Sequence, residues 1–97
     1  MIELSEFDAA EYLDNEETII EYLNLALADE DPKEFLRALN TVARARGMME
    51  LARKTGMPRE SLYRALSERG NPSWQTLRKI SSALGFSLTA KKAAVTA

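Results

Sequence analysis

The residues whose types and spacing could do chemistry gather between Arg59 and Asn71. Wound as a helix, Arg59-Glu60-Ser61-Leu62-Tyr63-Arg64-Ala65-Leu66 has two distinct faces. Leu62 and Leu66, with Ala65 beside them, are apolar and point to a core. Arg59, Glu60, Tyr63, Arg64 and Ser67 lie on the other side, at i, i+1, i+4, i+5 and i+8. A helix that presents arginines and a tyrosine from its N-terminal turns suits the major groove of DNA. Arginine can bridge O6 and N7 of a guanine, and the groove admits one helix. Ser61, Arg69 and Asn71 complete the candidate set, and Arg53, Lys54, Arg78, Lys79 and Ser73 surround it as candidate phosphate contacts. A charged, solvated helix face is the plainer account of the same residues.

Other chemistry is excluded more firmly. The chain has no cysteine and no histidine, which removes disulfides, thiolate nucleophiles, the commonest general base and the commonest transition-metal ligands. Asp29-x-Asp31 resembles the opening of a calcium loop, but that loop would need glycine at Glu34 and glutamate at Asn40, so Asp31 reads as a helix cap. The pair Glu16-Glu17 diverges on a helix and implies no cleft. No enzyme, metal, cofactor or small-molecule substrate is expected. No apolar run approaches the roughly 20 residues that span a bilayer, and the acidic N-terminus lacks a signal-like basic stretch. An intracellular, cytoplasmic binding protein is the expectation.

The elements that must position the candidate residues read as helices. Asp8 with Glu11 has capping-box spacing ahead of Tyr12 and Leu13. Asp14 or Asn15 precedes two glutamates at a second start, followed by Ile19, Ile20, Leu23 and Leu27 on one face, with Tyr22, Leu25 and Ala26 widening the stripe. Asp31-Pro32-Lys33-Glu34 is the clearest start signal; Phe35, Leu36, Leu39, Val42 and Ala43 form the stripe behind it, and Gly47 ends it. Met48 to Lys54, closed by Gly56, and Pro58 to Leu66 form a helix–tight turn–helix unit. Ser73 caps a last helix predicted to bury Trp74, Leu77, Ile80 and Leu84. Phe86 to Thr89 alternates like a strand or an extended docking segment, and the tail beyond is expected to fray.

Charge divides the chain. Residues 1–40 carry twelve acids against Lys33 and Arg37, and residues 41–97 carry eleven Lys/Arg against three acids. The basic half suits a polyanion and the acidic half a basic partner, although the halves could also neutralise each other within one monomer.

Several features of residues 47–88 agree in order and spacing with a known pattern: Leu51-Ala52, Gly56, Glu68-Arg69-Gly70, Asn71-Pro72-Ser73 with Thr76-Leu77, and Ala83-Leu84-Gly85. The segment resembles the Xre/Cro-type helix-turn-helix of phage and bacterial repressors. Many members carry a phosphate-touching glutamine where Met48 stands, so backbone N–H groups would have to serve there. With its acidic, Tyr/Leu-rich leader, the chain resembles the HigA-like addiction-module antidote proteins over residues 5–92.

The resemblance implies an all-α, lambda-repressor-like domain at residues 32–90, an acidic helical extension at 1–31 and a flexible tail at 91–97. It implies an antitoxin that neutralises a small basic RelE/HigB-like ribonuclease and represses their shared operon. DNA would be read by Arg59, Glu60, Ser61, Tyr63, Arg64, Ser67, Arg69 and Asn71. Toxin would be met by Glu16, Glu17 and Glu21, whose charge suits a basic protein. A homodimer is expected, since two recognition helices about 34 Å apart read a palindrome, with its contact on the last helix and Phe86 to Leu88. The alternatives are a phage-type repressor without a toxin, and an interaction module that no longer binds DNA.

Overall fold

The computed structural model describes residues 15–94, and they form five helices with no strand among them: α1 (Glu16–Ala28), α2 (Lys33–Arg46), α3 (Met48–Thr55), α4 (Arg59–Leu66) and α5 (Trp74–Leu84). The expected short helix from Asp8 lies outside the described residues, as do residues 95–97 of the tail. Residues 91–94 are exposed and outside any helix.

Asn15 starts α1, its side-chain oxygen accepting the Thr18 N–H at 2.8 Å, and Glu16 and Glu17 occupy the first turn near the positive end of the helix dipole. The α1–α2 connection is closed by two carboxylates in series. Asp29 accepts the Asp31 N–H at 2.8 Å and Asp31 accepts the Lys33 N–H at 2.9 Å. Pro32 already has helical angles, so Asp31 caps as its spacing suggested.

The centre of the fold is α2. Phe35, Leu36, Ala38, Leu39, Thr41, Val42 and Ala43 are all buried, a wider arc than a surface helix carries. This width is needed because α1 packs on one side of α2 while α3 and α4 pack on another. Gly47 bridges α2 directly to α3. Leu51, Leu62, Leu66 and Ile80 reach the same core from α3, α4 and α5, and Ile19, Leu23 and Ala26 of α1 belong to that cluster too. Met48 is buried among them, so its side chain faces the core and has no access to a phosphate.

Two expectations are corrected. Ile20 and Leu27, placed in the α1 stripe by spacing, are 42% and 51% exposed, and Leu25 is more exposed still. Since α1 rests chiefly on α2, only an arc around Ile19, Leu23 and Ala26 is covered; Ile20 and Leu27 fall roughly 80–100° round from Ile19. Trp74 is 57% exposed although its spacing sets it on the side of Leu77 and Ser81; it is the first residue of α5, at the end of the helix. Of the two readings of Phe86 to Thr89, the strand is not formed; Phe86 and Leu88 lie half-buried against the core and Ser87 faces out.

Gly70 is required by close approach. A Cβ there would stand 2.5 Å from the backbone oxygens of both Arg64 and Ala65, at the end of α4. Backbone cannot yield as a side-chain tip can, so Gly70→Ala should lower the unfolding free energy by about 1–3 kcal/mol. Urea denaturation followed by circular dichroism measures this, and an unchanged midpoint would show that the α4–α5 loop adapts freely.

Candidate nucleic-acid interface

The turn between α3 and α4 is set by three residues. Thr55 Oγ1 donates to the Leu51 carbonyl at 2.8 Å and accepts the Met57 N–H at 3.2 Å. Gly56 adopts φ +73°, a conformation that would strain any residue with a Cβ. Pro58 is extended and leads into α4, whose first turn has no side-chain cap. Two core leucines, Leu62 and Leu66, then fix the rotation of α4.

That rotation leaves Arg59, Glu60, Tyr63 and Arg64 exposed together on one face. Ser67, at the end of the helix, is half-buried and donates its hydroxyl to the Arg64 carbonyl at 2.9 Å. Ser61 is half-buried, beside Ala65 and one turn before Arg64, on the edge of that face away from Arg59. Arg69 and Asn71 are exposed in the loop that follows.

The cations here differ in their engagement. Arg53 is held by Glu50 one turn earlier, its Nε donating to Oε2 at 3.0 Å and its Nη2 to Oε1. The pairing lowers the Glu50 pKa and raises that of Arg53. By contrast, Arg59, Arg64, Arg69, Arg78 and Lys79 make no ion pair among the described residues. Cations left uncompensated create a positive field that draws anions.

Sequence reasoning missed how the loop after α4 is held. Lys33 Nζ donates to the Gly70 carbonyl at 3.0 Å, and Arg37 Nε donates to Glu68 Oε1 at 2.7 Å. Arg37 Nη1 also reaches Asp31 at 2.9 Å and Glu34 at 2.7 Å, so one guanidinium gathers three carboxylates, two around the start of α2 and one from the loop after α4. Glu68, Asp31 and Glu34, in that order, push the Arg37 pKa far above its ordinary value. Partners more than 30 residues apart leave no local signal. Only the isolation of Lys33 and Arg37 as the two bases of an acidic half hinted at them.

The acids of α1 are placed differently. Glu16, Glu17 and Glu21 are exposed and unpaired among the described residues, and none of them joins the Arg37 cluster. Among the described residues no group of three acids is arranged to hold a metal ion, and no helix is long and apolar enough to cross a membrane.

A family model described as "probable addiction module antidote protein" matches residues 3–92. The chain belongs to this family. An antidote is a regulatory protein and not an enzyme. The antidote chain is also similar to an uncharacterised protein of Haemophilus influenzae, 45% identical over 84 residues and covering 87% of each chain. No solved structure matches it significantly.

The carboxylate of Asp31 sits below its ordinary pKa of 3.8, first through the Lys33 N–H and then through Arg37. A depressed folded-state pKa stabilises the fold above the unfolded value, and that stability is lost as pH falls through the folded value. The protein should therefore weaken as pH drops below about 4. Asp31→Asn keeps an acceptor for the Lys33 N–H but no titratable charge, so it should flatten the acid limb. Urea midpoints between pH 3 and 7 report this, and an unaltered acid limb would remove Asp31 from the account.

Proposed function

We propose that this antidote is the antitoxin of a type II toxin–antitoxin module. In this reading it binds and neutralises a small basic RelE/HigB-like ribonuclease and represses its own operon as a cytoplasmic homodimer. Family membership supports the antidote role. The observation that carries the DNA half is the exposed row Arg59, Glu60, Tyr63 and Arg64 on a helix whose rotation is locked by Leu62 and Leu66. A short helix after a glycine turn, with its apolar side docked and its cationic side open, supports a lambda-repressor-like helix-turn-helix of the HigA/Xre type.

The roles then divide by placement. Arg59 and Arg64 read base edges, with Tyr63 and Glu60 beside them. Arg69, Asn71 and Ser67 meet phosphate or flanking bases at the end of the helix. Ser61 contributes from the flank. Lys33 and Arg37 touch no DNA in this scheme; they position Gly70 and Glu68, and hence the loop carrying Arg69 and Asn71. Toxin is met by Glu16, Glu17 and Glu21 on α1, a different helix from the one that reads DNA. The two-fold contact falls on α5 and Phe86 to Leu88. A groove of about 440 Å³ there is lined by Arg78, Lys79, Ser81, Phe86 and Leu88, and the buried Ser81 hydroxyl lacks a partner among the described residues.

The interaction-module reading keeps one observation in its favour, the burial of Met48 where a phosphate-touching glutamine would serve. Salt dependence separates the two. Binding to a fragment of its own promoter should weaken with salt on a log–log slope of about −0.9 per phosphate neutralised. Arg59→Ala or Arg64→Ala should cost about 1–3 kcal/mol on that DNA while leaving toxin binding unchanged. A flat salt response, or two variants that bind as tightly as the parent, would reject DNA reading by α4. Charge reversal at Glu16, Glu17 and Glu21 should slow toxin capture and spare DNA binding; equal capture would remove those acids from the contact.

A further inference from the structure

Three large apolar side chains that the fold leaves exposed, Ile20, Leu25 and Leu27, lie on α1. A single exposed leucine needs no explanation. Ile20 and Leu27, however, are seven residues apart and so share one edge of the helix, two turns from one another. That edge runs into a dimple of about 60 Å³ between the start of α1 and the end of α5. Ile20, Leu84 and Phe86 wall it, with Glu16 and Arg46 also lining it. Its size suits the tip of one apolar side chain. Leu25 stands on the opposite side of the buried arc and shares neither feature.

Along α1 itself the charge has one sign, with Arg46 of α2 standing at the dimple. Residues 15–32 contain Glu16, Glu17, Glu21, Asp29, Glu30 and Asp31 and no lysine or arginine, and of these only Asp31 is ion-paired among the described residues. An apolar strip fringed by uncompensated carboxylates has the anatomy of a protein interface, with a centre that desolvates and a rim that selects by charge. Nucleic acid and anionic lipid would be repelled by the fringe. A second copy docking here would bring two acidic rims together, at a repulsive cost.

We infer that the Ile20–Leu27 edge of α1, on the side of the helix away from Leu25, is the docking surface for the small basic toxin. The inference rests on the antidote reading above and adds to it the apolar anchors of the contact. The acids govern encounter; Ile20 and Leu27 hold the complex once formed.

The test titrates the small basic protein encoded beside this chain into the purified full-length chain by calorimetry. The variants are Ile20→Ser with Leu27→Ser, and Leu25→Ser as the control on the opposite edge. The double variant should bind at least about tenfold more weakly and Leu25→Ser within about twofold of the parent, with promoter affinity unchanged in both. A double variant that binds as tightly as the parent, or a Leu25→Ser variant that loses as much, would overturn the surface while leaving the antidote reading intact. A parent that forms no complex would overturn that reading, and the surface with it. Should the double variant lose helical circular dichroism, Leu27→Ser alone is judged by the same criteria, since Leu27 is half exposed.

Discussion

The demand that α2 be buried over most of its circumference governs the rest of the molecule. Leu39, Val42 and Ala43 sit at 0–1% exposure with Phe35, Leu36, Ala38 and Thr41 around them, and no single neighbour can cover so wide an arc. One side is closed by α1 and another by α3 and α4, with α5 held through α3. The loss of water from these apolar surfaces is the dominant favourable term in a domain of this size. Everything outside the shared cluster is left free to carry charge.

That freedom is used unevenly. The helices that close on α2 present opposite fields to solvent: carboxylates along α1, and guanidinium groups on α4 and the loop beyond it. The two are joined at one place. Arg37 and Lys33, the bases of the acidic half, reach across to Glu68 and Gly70, so the start of α2 and the end of α4 are tied by side chains and not by packing alone. Each exposed ion pair contributes little to stability. Their consequence is geometric: the loop bearing Arg69 and Asn71 is held against the body of the protein, and the close seat of Gly70 on the α4 carbonyls holds it again.

Much of this was legible in the chain. Asn15, Asp31 and Ser73 cap where their types and spacing placed them, and Gly47, Gly56 and Gly85 end helices as expected. The two-faced pattern of α4 was visible in Leu62 and Leu66 against Arg59, Tyr63 and Arg64. What spacing could not tell was which stripes would find cover. Ile20, Leu27 and Trp74 lie within a turn of buried residues on their own helices and still face solvent.

The sequence by itself therefore determined the local units: which segments become helices, where each stops, and the separation of acidic from basic halves. Short-range capping and turn chemistry decide these, and they act over three or four residues. Tertiary structure alone decided which apolar residues are core and which are surface, that Met48 is internal, and that Arg37 gathers Asp31, Glu34 and Glu68. The physical reason is that burial, and the ties from Arg37 to Glu68 and from Lys33 to Gly70, depend on partners distant in the chain that meet only when the helices have packed.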